Sequence, residues 1–200
     1  MLRDLLFPPI CIGCKSKGSY LCSQCKKHLH PHLEICPITH RESPGYATRH
    51  ELLSDYCPLD GCIVLFRFDP LIRKLIAHLK YHHRAHISNF LGERLALALQ
   101  SHPLWVPPSK GGYGEAKEGH SKNTFIISYV PSHRYRHYIT KGYNQSKLLA
   151  QALASHLSPD IKVQALCKKT KNTHSQVGMT REQRKTNNAD AFVCIAPPPP

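Results

Sequence analysis

Beyond residue 70 the apolar positions of this chain fall into a rhythm that residues 1–62 lack. Leu71, Ile72, Leu75, Ile76 and Leu79 recur at i, i+1, i+4, i+5 and i+8, one face of a helix. His82-His83 closes it, where cationic side chains complement the carbonyl end of the helix dipole. Ile87, Phe90, Leu91, Leu95, Ala98 and Leu99 repeat the signal and predict a second helix. Residues 103–123 lose the period and gather Pro, Gly, Ser, Lys and Glu, as an exposed loop does. Phe125 to Val130 is an apolar, β-branched run stopped by Pro131, which suits a strand buried on both faces. Leu148, Leu149, Ala152, Leu153 and Leu157 mark a third helix, and Ile161 to Cys167 reads as another strand. A capping box, Thr180-Arg181-Glu182-Gln183, opens a further helix. Ala191 to Ile195 is a last strand that Pro197 to Pro200 cannot continue, and no internal repeat stands out.

Strands alternating with helices imply an α/β fold with a parallel, doubly wound sheet. Ligands of such sheets bind at the carboxyl ends of the strands. The polar stretches 131–145 and 168–187 both follow predicted strands, so both are expected on one rim. The domain reading is a loop-rich module over 1–62 and a sheet domain over 63–196.

Residues 1–62 hold seven of the nine cysteines, several prolines and little periodicity. Cys11/Cys14 and Cys22/Cys25 form two C-x2-C pairs with seven residues between them, a spacing that sets four thiolates at the corners of one tetrahedron. A stretch this short cannot bury a core of its own, and a zinc ion would supply folding energy that packing does not. Free thiols or a redox C-x-x-C are the alternatives, though redox motifs seldom come doubled. Cys36, His40, His50 and Cys57 suggest a second, looser metal site, with Thr39 where its next knuckle cysteine would stand. Cys167 and Cys194 lie in predicted strands and read as small buried hydrophobes. Nine cysteines without an export signal favour reduced thiols and metal over disulfides, and a cytoplasmic protein. No apolar run is long enough to span a bilayer.

The formal charge of +14, with fifteen histidines besides, draws polyanions: nucleic acid, phosphorylated metabolites or acidic membranes. The first polar segment carries Ser132, His133, Arg134, Arg136, His137 and Lys141, then Gly142, Asn144 and Gln145. Asn144 suits a helix N-cap. Backbone N–H groups at that helix start, helped by Lys141, would form a phosphate or pyrophosphate site; a solvated basic loop is the plain alternative. The second segment holds Thr173, Gln176, Arg184 and Asn187, and suits either a lid that excludes water or a surface connection. Neither a G-x-G-x-x-G nor a Walker loop is present.

Taken in order, four stretches resemble the ComF family of competence-associated proteins, which join an N-terminal zinc ribbon, often doubled, to a phosphoribosyltransferase-like domain. They are the cysteine module; Leu59-Asp60-Gly61 with Leu65 to Phe68 and Ile72 to Tyr81; Val130-Pro131-Ser132-His133 with Lys141-Gly142-Tyr143-Asn144-Gln145; and Thr173, Gln176, Arg184, Asn187 with Ala191-Phe192. The resemblance implies that the segment after Val130 meets pyrophosphate and that 168–187 is a lid loop. It implies displacement of pyrophosphate from phosphoribosyl pyrophosphate with Mg2+, through an oxocarbenium-like centre. The implied partners are single-stranded DNA or competence proteins, and the oligomeric state stays open.

The departures are specific. The family's D-D-x-x-T-T-G-x-T is absent, no two acidic residues are adjacent anywhere, and Lys141 stands in place of the usual arginine. Lysine keeps the charge but loses the bidentate fork. A C-terminally truncated, inactive family member is therefore expected. A non-enzymatic, zinc-containing nucleic-acid adaptor is the competing class.

Overall fold

A computed structural model describes residues 8–36, 39, 41–43, 62–82, 84–101, 126–133, 142–174, 176 and 178–195. The chain divides into two units, Met1–Leu79 with Leu97–Trp105, and Lys80–Ala96 with Val106–Pro200. The predicted loop at 103–123 lies outside the described residues. Among the described residues, no helix is long and apolar enough to cross a membrane.

The first unit opens with a turn of extended chain and a short helix, α1 (Ser23–Lys27). Its other anchor is α2 (Pro70–Tyr81), which buries Ile72, Leu75 and Leu79 along the predicted face. Proline at the first helical position has no N–H to leave unsatisfied, and Asp69 Oδ1 accepts from Ile72 N at 2.9 Å as the cap. His82 follows the last turn, as expected; His83 lies outside the described residues.

α3 (Ile87–Gln100) has the predicted span but turns a different stripe inward. Ile87, Ser88, Gly92 and Ala96 are buried, while Phe90, Leu91, Leu95, Ala98 and Leu99 are only half-buried. The cause is close approach of α4 (Gln145–Leu157). A Cβ placed on Gly92 would sit 2.5 Å from Ala152 Cβ and 2.8 Å from the Ala152 carbonyl carbon. Small side chains let two backbones meet there, and α4 answers with buried Ala150 and Ala154. His156 Nε2 and Asn89 Oδ1 close the same pair of helices at 3.1 Å.

β1 (Ile126–Ile127) pairs in parallel with β2 (Lys162–Val163), in the register Ile126↔Lys162 and Ile127↔Val163. With α4 between them they make one β–α–β crossover, the unit that the alternating pattern implied. The rest of the sheet differs from expectation in three ways. The strand expected over Ile161 to Cys167 divides, because the chain leaves β1 after Gln164 and resumes as β3 (Cys167–Lys169). β3 pairs antiparallel, not parallel, with β4 (Phe192–Cys194), forming a separate two-stranded sheet. The 125–130 run is not buried on both faces: Ile126 and Ile127 are half-buried and Val130 is 64% exposed. Among the described residues each sheet has only two strands.

α5 (Arg181–Asn188) buries none of its residues. Its start is held by the predicted capping box, Gln183 N donating to Thr180 Oγ1 at 3.2 Å and Thr180 N to Gln183 Oε1 at 2.8 Å.

Gly92→Ala is expected to destabilise the protein by about 1–3 kcal/mol through overpacking against Ala152. Gln151→Ala on the exposed face of α4 should change stability by less than about 0.5 kcal/mol. Urea unfolding of both variants checks the pair.

Candidate metal centre

The first C-x2-C pair is built by a tight turn. Gly18 N donates to Pro9 O at 2.8 Å, Cys11 N to Ser16 O at 2.8 Å and Ile12 N to Tyr20 O at 2.9 Å. The second pair sits on α1, whose N-cap is Cys22 itself: its sulfur accepts from Cys25 N at 3.4 Å. Cys22 N in turn donates to Cys11 Sγ at 3.4 Å, so the two turns are joined through a sulfur. Gly13 is obligatory at its position. A Cβ there would stand 2.6 Å from Cys25 Sγ and 3.3 Å from Leu71 Cδ1.

These turns bring Cys11, Cys14, Cys22 and Cys25 together, with all four sulfurs within 4.8 Å of one another. Cys14 Sγ and Cys22 Sγ are 3.6 Å apart. A tetrahedral zinc with bonds near 2.3 Å needs sulfurs about 3.8 Å apart, so the donor set fits. The electrostatics point the same way. Burial opposes charge at Cys11, yet the backbone N–H groups of Cys22, Cys14 and Gly13 outweigh it and bring the thiol down to about 6. The Ser16 hydroxyl, 3.2 Å away, lowers Cys14. Burial first, then the surrounding sulfurs, push Cys25 up to about 12. Protons and sulfurs alone leave Cys25 holding its proton, whereas a bound dication deprotonates a coordinating thiol outright. Four ligands close the shell, so the role such a metal would fill is structural.

The second predicted site is placed only in part. Cys36 is fully buried, while His40, His50 and Cys57 lie outside the described residues. The backbone around Cys36 shows a repeat that the sequence did not declare. Ser43 N donates to Glu34 O at 2.8 Å and Cys36 N to Arg41 O at 2.9 Å, matching Gly18→Pro9 and Cys11→Ser16. The bridges Ile10↔Lys17 and Ile35↔Glu42 match as well. All three correspondences share one offset of 25 residues, that between Cys11 and Cys36. The described residues 34–36, 39 and 41–43 thus follow the first knuckle turn, with Thr39 at the place of Cys14. Thr39 N still donates to Cys36 Sγ, at 3.5 Å. Ile-Cys at 10–11 and at 35–36 was the sequence signal. The Cys36/Thr39 spacing already marks a second, eroded knuckle, and the hydrogen bonds extend that likeness to the flanking backbone.

The same unit carries an open cleft of about 470 Å³ lined by His30, His32, Arg67, Phe68 and Asp69. Two extended segments form it, joined by an isolated antiparallel bridge at Pro31 and Phe66: His32 N donates to Leu65 O at 3.0 Å and Arg67 N to His30 O at 2.9 Å. Phe68 is 65% exposed, with the Arg73 guanidinium 5.4 Å from its ring centre. Residue-by-residue reading missed this site, because its parts come from segments 35 residues apart.

In the second unit, Asn144 caps α4 as expected. Its Oδ1 accepts from Lys147 N at 3.1 Å, and its Nδ2 donates to Val130 O at 3.1 Å. That second bond ties the helix start to the end of the β1 segment. Ser132 and His133 are half-buried, and the buried His133 Nδ1 has no hydrogen-bond partner among the described residues. Gly142 is exposed in the turn before the cap, and Gln145 Nε2 reaches Lys80 O at 3.5 Å. Arg136 and Lys141 lie outside the described residues. In the later segment, Asn187 clasps the backbone of His174 by two bonds of 3.1 Å, and buried Thr173 accepts from Lys169 Nζ at 2.6 Å. Gln176 and Arg184 are exposed. Cys167 and Cys194, expected as buried hydrophobes, are half-buried and exposed, because they sit in a two-stranded sheet whose β4 is exposed along its whole length.

This chain is 25% identical to Competence protein F of Haemophilus influenzae over 187 residues, 92% of its own length and 69% of the relative's. That likeness, with the cysteine cluster, supports the ComF family. No family model and no solved structure matches the chain.

Gly13→Ala is expected to weaken zinc binding roughly tenfold or more, read by chelator competition, because the new methyl meets a ligand sulfur. Zinc uptake at pH 7 should release at least the Cys25 proton, held by a thiol pushed up to about 12, while Cys11, at about 6, is largely ionised already. Affinity should therefore fall as pH drops, and calorimetry in buffers of different ionisation enthalpy counts the protons.

Proposed function

We propose that the chain is a ComF-type protein with a structural zinc module and a phosphoribosyltransferase-like α/β scaffold, serving a competence-related step on DNA or nucleotides. The observation that carries this reading is the match to Competence protein F over 92% of the chain, taken together with the cluster of four cysteines. The β1–α4–β2 crossover supports the scaffold. The proposed pyrophosphate segment is Ser132, His133, Arg136, Lys141, Gly142, Asn144 and Gln145. Two features support it: Asn144 joins the strand end to the helix start, and the unsatisfied His133 Nδ1 is a group that a ligand oxygen would complete. Thr173, Gln176, Arg184 and Asn187 are proposed for the lid segment, whose base Asn187 holds through His174.

The residues present do not fit phosphoribosyl pyrophosphate with Mg2+. Within these 200 residues there is no adjacent acidic pair to hold ribose hydroxyls and metal, and no T-T-G turn to cradle the 5′-phosphate. We therefore derive no transfer step. Calorimetric titration of this 200-residue chain with phosphoribosyl pyrophosphate and Mg2+ should show no saturable binding. Micromolar binding would sink the inactive reading.

A second reading, a nucleic-acid adaptor, is favoured by the cleft beside Phe68. An exposed ring offers a face for a base, Arg67 and Arg73 offer charge for phosphate, and the net charge of +14 supplies the long-range attraction. On that reading, log affinity for single-stranded DNA falls linearly with log salt, with a slope of about −0.7 for each phosphate neutralised. Phe68→Ala should weaken binding by about 1–3 kcal/mol. A flat salt response counts against it.

A further inference from the structure

The antiparallel pair β3/β4 sets Cys167 directly opposite Cys194. Which kind of opposition this is follows from the ladder. Thr170 N donates to Ala191 O at 2.9 Å and Ile195 N to Leu166 O at 2.9 Å. Thr170/Ala191 and Leu166/Ile195 are therefore hydrogen-bonded pairs, and pair types alternate along an antiparallel ladder. Cys167/Cys194 and Lys169/Phe192 must then be non-hydrogen-bonded pairs, the kind whose side chains approach most closely. The second of these shows the consequence directly: Lys169 Nζ lies 5.5 Å from the centre of the Phe192 ring. Cys167 and Lys169 are two residues apart, as are Phe192 and Cys194, so all four side chains share one face. Cα atoms of a non-hydrogen-bonded pair stand about 4.5 Å apart, at the short end of the range of roughly 4.4–6.8 Å that a disulfide accepts. Cys194 is exposed and Cys167 half-buried, so a small oxidant reaches the first and the second lies behind it.

We infer that Cys167 and Cys194 form a redox modification site, a cross-strand dithiol that closes to a disulfide when it meets a low-molecular-weight disulfide. The Cys194 thiolate attacks one sulfur of R–S–S–R, forming Cys194–S–S–R and expelling R–S⁻. The Cys167 thiolate then attacks the Cys194 sulfur, the protein disulfide forms and a second R–S⁻ leaves. Two protein thiols give up two electrons and two protons; the small disulfide takes the electrons and becomes two thiols. The bond staples β3 to β4, a sheet of three residue pairs. It also closes residues 168–193 into a covalent loop that includes α5 and the His174–Asn187 clasp. This inference is independent of the phosphoribosyltransferase reading and of the cysteine quartet.

The test treats the zinc-loaded full chain with glutathione disulfide, digests it with trypsin without reductant and maps the products by mass. The peptides spanning 163–168 and 186–200 should travel as one species, lighter by two hydrogens than their sum, and separate on reduction. Cys167→Ser should instead trap a stable glutathione adduct on Cys194, and Cys194→Ser should abolish the cross-link. A wild-type chain that keeps the adduct on Cys194, or that joins either cysteine to a different one, overturns the proposal. So does a Cys167→Ser chain that takes up no adduct while circular dichroism shows it folded.

Discussion

Four sulfurs held within 4.8 Å of one another make a charge problem that packing alone does not solve. The first unit is organised around that constraint. Its turns point N–H groups at sulfur, Cys22 serves as both helix cap and cluster member, and Gly13 has no side chain because Cys25 occupies the space. Those features lower the cost of charge at Cys11 while leaving Cys25 strongly averse to losing its proton. A divalent ion resolves the conflict, since it neutralises the thiolates that burial and mutual repulsion disfavour. A module with few apolar side chains can be ordered in this way.

The second knuckle shows how much of such a turn survives loss of a ligand. With threonine at position 39, two backbone hydrogen bonds and one bridge among the described residues of 34–43 still match those of 9–18. The turn is therefore specified mainly by its backbone ladder and by the cysteine that starts it. Burial of Cys36 keeps that copy attached to the unit. The cleft of His30, His32, Arg67 and Phe68 forms where the extended segment before the second knuckle bridges the segment leading into α2, and it presents a basic, aromatic surface.

The second unit is governed by close backbone approach rather than by large apolar side chains. Gly92 against Ala152 brings α3 onto α4, and α4 lies on β2. Its loops are held by side-chain amides: Asn144 bridges strand end and helix start, and Asn187 grips His174. Amide side chains suit this work because each supplies a donor and an acceptor in fixed geometry.

Local signals were legible along the chain. The spans of α2, α3 and α4, the Asn144 cap, the Thr180 capping box and the cysteine quartet all follow from spacing of a few residues, where one turn of backbone decides which groups meet. Pairing was not legible. Alternation implied parallel strands throughout, but a run such as Ile161 to Cys167 carries no record of its partner, and its halves join different strands in opposite senses. The buried stripe of α3 eluded the periodic reading because small residues carry little hydrophobic signal, although they permit the closest contact. The repeat at 25 residues eluded it for a related reason: backbone hydrogen bonds preserve it more fully than side chains do. Spacing along the chain settles local features, namely helix spans, caps and the gathering of four cysteines that could hold a metal. Tertiary structure alone decided which strands pair, which helix face is buried and which distant residues share a cleft or a cross-strand position, because those depend on contacts between segments that local patterning does not encode.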